Sequence, residues 1–512
     1  MTWRLHLVGL VVAALAAPAR ADTHAADASG APGPGGAAPA DPAEPLDPPD
    51  IDEGDHHIAV AATWAGLELG LAALYYWSTQ GQQEVDWTRP SWTDKLTLHA
   101  VRFDTNPFVV NALRHPLTGI GDYQIARSNG FGALSSTVFA YLTGAVWEFG
   151  VEYFEDPAIN DLIMNGAGGL AIGEPLYQIG QLWRGGEPSS TDRLRTAACS
   201  PFAATQDLWR SHRGWRPRRA WGDFVFFAGA VSHRIDDGRF RSELALGLDI
   251  DVVRHSGFVV PGAHEAPIAP GAWSRIVLGL GIADLGAGSQ PVSTTLRSQT
   301  ALAGIYRQDD AGNGRLAALG TAFTYRRDRL ARAWDHVAIA HLFGPQLQLS
   351  RRTGATELRW DLAAYADFGL IDAYVFGPVS PLPRPPPYLS TLQADGYYDG
   401  AGTSVQSRVR TSAGAWHAEL EVTGHQLWSL DFADREQQTS PVSRSVSSGV
   451  VIPATPHGTS DLRIYGHAEL GVRGGPWGIT ATADAAYRRG TWRDFARATT
   501  DWMVGALGTA SF

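Results

Sequence analysis

The feature that most constrains this chain is an alternation of apolar and polar residues that recurs along its C-terminal part. In the run 462–472 the even positions are apolar or small, whereas the odd positions hold Arg463, Glu469 and other polar residues. The same period of two recurs in 244–251, 358–365 and 416–423. A period of two places alternate side chains on opposite faces of a β-strand, so each strand has one apolar and one polar face.

The length of these runs and the charge on their polar face favour a membrane barrel over a soluble sandwich. Runs of about ten residues exceed the typical ~5–6 of globular strands, and outer-membrane barrels use such strands with one side toward lipid. We therefore predict a mainly β protein in which 220–512 form a transmembrane antiparallel β-barrel of about 12 strands, within a range of about 10 to 14. The last strand ends on Phe512, which resembles the C-terminal aromatic signal of such barrels. The expected partners are therefore the barrel-insertion machinery and outer-membrane lipid.

The N-terminal residues predict export to the cell envelope. Residues 1–21 combine Arg4, an apolar stretch and small residues before Asp22, which is the pattern of a cleaved signal peptide. Residues 22–55 are rich in Ala, Gly, Pro and acid, so we expect a disordered tether there. A helical domain is predicted over 56–200, followed by a linker over 201–219 that leads into the barrel.

Composition and motifs exclude several classes of protein. A formal net charge of −11 argues against nucleic-acid binding. The single cysteine, Cys199, excludes a disulfide framework within the chain. The sequence contains no HExxH, no CxxC and no paired ExxH spacing, so we expect neither a metal centre nor a cofactor.

The helical domain is expected to fill or close the barrel. A barrel of this size has a lumen too wide for its own side chains to fill, so we predict that the helices plug the lumen or cap its periplasmic mouth. Residues 58–77 predict one apolar helix, in which Glu68 favours packing inside protein over a membrane span. An alternative places 56–77 and 134–183 in the inner membrane as spans.

Polar residue types that the rest of the chain uses sparingly are concentrated in the helical domain. The only lysine is Lys95, and five of the six asparagines lie between Asn106 and Asn165. Polar groups among apolar helices need hydrogen-bond partners, so we predict a buried polar network. Its predicted members are Lys95, Asn106, Arg127, Asn129, Asn160, Asp161 and Glu174.

The segment between Asp94 and Trp183 carries a string of short motifs. They are Asn106-Pro107, His115-Pro116, Ala126-Arg127-Ser128-Asn129-Gly130, Trp147-Glu148, Glu152, Ile159-Asn160-Asp161-Leu162 and Gly173-Glu174. This string resembles a bacterial family known only as domain of unknown function 3943. The resemblance implies an envelope protein of Gram-negative type without an assigned activity, and it carries over no catalytic residue.

Two functions remain open from the sequence. The first is a non-enzymatic outer-membrane protein in envelope transport, ligand binding or structural support, with an unidentified small molecule or lipid as its ligand. The alternative is a lipid-modifying or metal-dependent hydrolase that uses Glu148, Glu152 and either His115 or His99. A spacing of four places both carboxylates on one helix face, and a carboxylate pair near a histidine can bind a divalent ion or share a proton.

Overall fold

The computed structural model describes residues 56–79, 89–104, 106–184, 189–207, 221–253, 262–284, 289–331, 334–372, 397–430, 459–492 and 495–511. The predicted signal peptide, the predicted tether, most of the predicted linker and Phe512 lie outside the described residues. Within the described ranges, a helical domain precedes one large antiparallel sheet.

The sheet closes into a barrel. Its strands are β1 Trp221–Arg234, β2 Phe240–Val253, β3 His264–Ile268, β4 Trp273–Ala283, β5 Gln290–Gln308, β6 Gly314–Arg329, β7 Trp334–Thr353, β8 Thr356–Asp372, β9 Tyr398–Ala413, β10 Trp416–Ser429, β11 Ser460–Gly474, β12 Trp477–Trp492 and β13 Phe495–Ser511. β1 pairs with both β2 and β13, and β5 pairs with both β4 and β6, so all strands except the short β3 form one ring. The predicted antiparallel barrel of about 12 strands is therefore confirmed.

The two rims of the barrel differ. We call the rim where β1 begins and β13 ends the proximal rim, and the opposite one the distal rim. Four connections at the proximal rim have two to five residues, whereas the one between β2 and β4 is longer and contains β3. Gly354, Gly414 and Gly475 adopt φ values of 60°, 59° and 62° in two-residue hairpins that favour glycine. The longest connections, 373–397 and 430–459, both leave the distal rim. Long loops on one rim and short turns on the other are typical of outer-membrane barrels.

The alternation in the sequence corresponds to the two surfaces of the barrel wall. Outward positions of β8 to β13 carry exposed large apolar side chains, among them Leu358, Leu420, Ile464, Ile479 and Val504. Inward positions carry charged residues that meet across the lumen. This apolar exterior and polar interior is the arrangement of a transmembrane barrel.

The helical domain consists of eight α-helices and three π-helical turns in the described residues. They are α1 Ile58–Thr79, α2 Trp92–Leu96, α3 His115–Ser128, α4 Ala133–Val146, α5 Ile159–Gly168, α6 Glu174–Leu182, α7 Ser190–Cys199 and α8 Pro201–Asp207, with π-helical turns at Val110–Arg114, Trp147–Val151 and Gly169–Gly173. Local signals explain several bounds: Pro116 starts α3, Gly130 follows its end with φ 87°, and Ser189 with Asp192 forms a capping box on α7. Helix α8 lies in the predicted linker, so the helical region extends past residue 200.

The helices pack against the outside of the barrel wall. Phe103 and Met164 share an apolar cluster with Phe323, Ala340 and other outward residues of β6, β7 and β8. A second cluster joins Ile179 and Cys199 of the helical domain to outward residues of β2 and β4, which are Leu248, Ile250, Val252 and Ile276. The ring pairs agree, with Phe103 and Phe368 6.0 Å apart and Trp183 and Phe224 5.4 Å apart.

The prediction of a helical plug or cap is therefore wrong for the described residues. The inward neighbours of these contact residues, such as Thr324, Asp251 and Arg275, face the lumen cavity instead. The strand positions that the helices cover are those that would otherwise face lipid. Because α1 is also largely exposed, the expectation that it is surrounded by protein is wrong as well.

Candidate functional site

Two predicted network residues, Asn106 and Asn160, form a cluster with Asn111 and Asp104. Asn111 and Asn160 donate side-chain N–H groups to Asp104 Oδ1 at 2.5 and 2.7 Å, and Asn106 donates to its other oxygen. Asn111 also donates to Tyr397 Oη at 3.0 Å, which links the cluster to the strand connection before β9. The cluster therefore joins the helices to each other and to the barrel.

Arg127 and Glu174 form a buried ion pair between α3 and α6. Arg127 donates from Nε and Nη2 to the two Glu174 oxygens at 2.9 and 3.0 Å, and Tyr123 Oη donates to Oε2 at 2.6 Å. Gly271, with φ 79°, lies against this pair, since an ideal Cβ there would be 2.4 Å from Glu174 Oε1. Such two-pronged arginine–carboxylate pairing fixes geometry as well as charge, and here it holds α6 against the proximal rim.

Lys95, Glu148 and Glu152 meet at the π-helical turn after α4. Lys95 Nζ donates to the backbone carbonyls of Glu148 and Glu152 at 3.3 and 3.0 Å, so the lysine caps the end of the helix. Glu148 Oε2 accepts a hydrogen bond from the Ala158 N–H at 2.8 Å. The π-helical turn Trp147–Val151 contains Glu148 and ends just before Glu152, so the two glutamates do not have the regular α-helical spacing assumed from the sequence.

The two candidate histidines have other partners. His115 Nε2 lies 3.1 Å from Asp161 Oδ2, and His99 Nδ1 lies 3.1 Å from Thr97 Oγ1 at the surface. Asn129, the remaining predicted network residue, donates to the Ile125 carbonyl at 2.8 Å and ends α3. In the described part of the chain, the imidazole contacts are thus with Asp161 and Thr97 rather than with Glu148 or Glu152.

The lumen holds a network of ion pairs near the distal rim, which we call the distal layer. Arg463 of β11 donates to both oxygens of Asp335 on β7 at 2.5 and 3.1 Å, and Arg488 of β12 donates to Asp335 at 2.9 Å. Arg488 also reaches Asp328 at 2.7 Å and contacts Asp501. Since these residues come from opposite parts of the ring, the contacts span the lumen.

A second network lies toward the proximal rim, and we call it the proximal layer. Asp249 of β2 accepts from Arg275 at 2.7 and 3.0 Å and from Arg408 of β9 at 3.3 Å. Asp251 lies 2.7 Å from Arg410 and 3.1 Å from Arg359. The layer is completed by ion pairs of Glu419 with Arg408 and of Glu421 with Arg275 and Arg297.

A cavity of about 500 Å³ lies in the lumen. Every residue that lines it belongs to the barrel, and the lining includes members of both layers together with His417, His467 and Asp484. His467 Nδ1 lies 2.8 Å from Asp484. A concave site with convergent charged groups is the usual form of a small-molecule site.

Four neighbouring strands, β7 to β10, contribute one polar residue each to a further lumen cluster. His341 Nδ1 lies 2.7 Å from Asp367 Oδ1, Ser404 Oγ donates to Asp367 Oδ2, and Ser404 Oγ lies 2.6 Å from His425 Nδ1. All four are buried. We call this the His–Asp–Ser cluster.

The lumen residues were not among the predicted site residues. Their signal was present in the alternation, because Arg463, Asp335, Asp367 and His425 all occupy odd, inward positions of their strands. The pattern gives the surface on which a residue lies, but the partner across the lumen depends on how the ring closes.

Comparison with known proteins supports the family resemblance. Residues 100–202 match the family model "Domain of unknown function (DUF3943)", which confirms the predicted similarity over that part of the chain. No curated protein is significantly similar to the chain. The matched range covers α3 to α7, and the barrel strands follow it.

Solved structures similar to the chain include outer-membrane barrels. The β domain of the Bordetella autotransporter BrkA is 12% identical, with 57% of this chain and 100% of that chain covered and a TM-score of 0.23. The translocator domain of autotransporter NalP from Neisseria meningitidis is 13% identical, with 56% and 87% covered and a TM-score of 0.17. The Vibrio cholerae outer-membrane protein OmpT is 8% identical, with 57% and 99% covered and a TM-score of 0.21. TM-scores this low carry no argument about the fold. The closed strand order of the sheet by itself makes this chain an outer-membrane-type β-barrel protein.

Proposed function

We propose that this protein is a non-enzymatic ligand-binding protein of the outer membrane whose barrel is not an open channel. The observation that carries the proposal is the pair of ion-pair layers in the lumen, beside a charged cavity. Side chains such as Arg463 and Asp335 touch across the lumen at hydrogen-bond distance, which leaves no space for hydrated ions between them. The cavity has the size and charge to hold a small polar solute.

The hydrolase alternative draws little support from the helical domain. Glu148 already accepts a backbone hydrogen bond, and Lys95 is engaged by carbonyl oxygens. A general base must reach the proton that it abstracts, either directly or through one water. His115 is paired with Asp161 instead. These contacts support a structural role for the predicted network.

The proposal predicts that the wild-type barrel does not conduct ions. The purified full-length protein, reconstituted into a planar lipid bilayer in KCl, is expected to give no stepwise increase in current, because both layers span the lumen. A general porin inserted into the same lipid serves as the control for the membrane. Regular conductance steps of porin size from the wild-type protein would contradict a closed lumen.

We also propose that the helical domain lies in the bilayer beside the barrel. The exposed side chains of α1 and α4 are largely apolar, among them Leu67, Leu71, Leu134 and Leu142. By length and composition, α1 is the one described helix that could cross a membrane. Its single acid, Glu68, lies over Gly121 of α3 and therefore faces protein. These surfaces continue the apolar exterior of the barrel.

This placement predicts contact between α1 and lipid acyl chains. A bimane fluorophore attached to Leu71→Cys is expected to be quenched strongly by phospholipids brominated on their acyl chains, because Leu71 is exposed on α1. Asp309→Cys, on the 309–313 turn at the proximal rim, is the matched control and should be quenched little. The native thiol of Cys199 is buried, which limits background labelling. Quenching of the fluorophore at Leu71→Cys that is as weak as at Asp309→Cys would show that α1 lies outside the bilayer.

A further inference from the structure

The geometry points to a binding site for one divalent transition-metal ion, of the zinc class, in the barrel lumen, with His341, Asp367 and His425 as ligands. Each of these residues offers one ligand atom, and the three atoms lie within 4.8 Å of one another. All three side chains are buried, and they come from strands β7, β8 and β10 of one wall. The proposal does not depend on the helical domain or on the ligand of the cavity.

The distances between the donor atoms suit a common ion. Zinc binds histidine nitrogen and carboxylate oxygen at about 2.0–2.2 Å, so two ligand atoms on one tetrahedral ion are about 3.3 Å apart. His341 Nδ1 and Asp367 Oδ1 are 2.7 Å apart, and no two of the three ligand atoms are more than 4.8 Å apart. Small side-chain rotations are therefore enough to place the three atoms around one ion.

The second ring nitrogen of His341 has the partner that a metal-binding histidine requires. His341 Nε2 lies 3.0 Å from Thr324 Oγ1, so Nε2 can donate its hydrogen to Thr324 while Nδ1 binds the ion. A hydrogen bond of this kind fixes the tautomer and the orientation of a ligating imidazole. Strand pairing fixes the rest of the site, because His341 is opposite Asp367 and Ser404 is opposite His425.

Ligand type favours a transition metal over magnesium or calcium. Two imidazoles and one carboxylate carry a single negative charge when the histidines are neutral, and a divalent cation compensates that charge. Magnesium and calcium prefer sets of oxygen ligands, whereas imidazole nitrogen suits zinc, copper and nickel.

The site borders the lumen cavity and has a candidate fourth ligand. His425 lines the cavity, so the cluster lies beside a space that can hold a small ion. Ser404 Oγ, which contacts both Asp367 and His425, lies where a fourth ligand or a bound water would be held. Three protein ligands with one further position match the usual composition of an accessible zinc site.

The test measures metal binding by the full-length, tag-free protein in detergent. After treatment with a chelator, the protein is dialysed against ZnCl2, and bound zinc is counted by mass spectrometry. We expect one ion per chain for the wild type and at least about tenfold weaker binding for His425→Ala and Asp367→Asn. The matched control is His467→Ala, which removes another cavity histidine outside the cluster and should leave one ion bound.

A measurement on the wild type keeps the proposal falsifiable if the ligand variants do not fold. Cobalt(II) added to the metal-free wild type should give the visible absorption of a tetrahedral site with nitrogen ligands, and zinc should abolish it. Faster gel migration of unheated samples reports whether each variant is folded. A wild type that binds no zinc and gives no cobalt spectrum overturns the proposal, as does loss of zinc in His467→Ala equal to that in His425→Ala.

Discussion

Replacing Asp335 by alanine is expected to lower the free energy of unfolding of the barrel by about 3–5 kcal/mol, the usual cost of removing one partner from a buried ion pair. Asp335 accepts hydrogen bonds from Arg463 at 2.5 and 3.1 Å and from Arg488 at 2.9 Å. Arg463 has no exposed surface, so water cannot replace the missing carboxylate. Unfolding in urea, followed by tryptophan fluorescence in lipid vesicles, measures the loss.

Two further variants distinguish the cost of leaving a buried arginine without its carboxylate from the cost of losing an exposed ion pair. Asp335→Asn keeps an acceptor oxygen in place, so it should cost less than Asp335→Ala. Glu265→Ala breaks the pair of Glu265 and Arg307, in which both side chains are more than half exposed, and exposed pairs contribute about 0–1 kcal/mol. Equal losses for Asp335→Ala and Glu265→Ala would mean that the distal layer is hydrated and does not hold the lumen closed.

The barrel could be predicted from the sequence because strand periodicity reports directly on side-chain orientation. The alternating runs 244–251, 358–365, 416–423 and 462–472 lie within β2, β8, β10 and β11, and each strand extends past its run by a few residues at one or both ends. In a strand of this length, a shift of the pattern by one residue would turn the charged side chains of the strand toward the lipid. The pattern therefore fixes the faces strongly and the strand ends only to within a few residues.

The position of the helical domain could not be predicted, since lipid and an apolar helix require the same residues on the barrel surface. Phe323, Ala340 and Phe368 fit the outward alternation of their strands whether a helix or a lipid chain covers them. Lysine and asparagine are scarce outside the helical domain, and this scarcity correctly indicates that polar side chains in the helical domain have specific partners. It could not indicate that Lys95 bonds to backbone carbonyls while Asn111 reaches the barrel through Tyr397.

The lumen clusters were missed for a related reason. Alternation identifies His341 and His425 as inward residues, but many inward residues are simply solvated in a wide lumen. Their approach within one cluster follows from the register of β7 to β10, and strand register is not encoded in any short motif. Only the closed ring reveals which inward residues meet.

Gly119→Ala is expected to separate α3 from α5 and to destabilise the helical domain by about 3 kcal/mol, the upper end of the usual cost of overpacking. An ideal Cβ at Gly119 would lie 1.8 Å from the Asn165 backbone oxygen. Backbone atoms cannot rotate away as a side chain would, so the two helices must move apart. Small residues at such contacts let helix backbones approach closely, which matters most where lipid surrounds the helices.

The matched control is Gly70→Ala in α1, because an added Cβ there would have no atom within 4 Å. Alanine is the better helix former, so this variant should be neutral or stabilising by up to about 1 kcal/mol. Limited proteolysis in lipid vesicles measures both effects: Gly119→Ala should expose 115–182 to cleavage while the barrel keeps its heat-dependent gel shift. A Gly119→Ala protein as resistant as Gly70→Ala would contradict the close packing of α3 on α5. Loss of the gel shift itself would mean that the barrel needs the helices on its outer wall to remain folded.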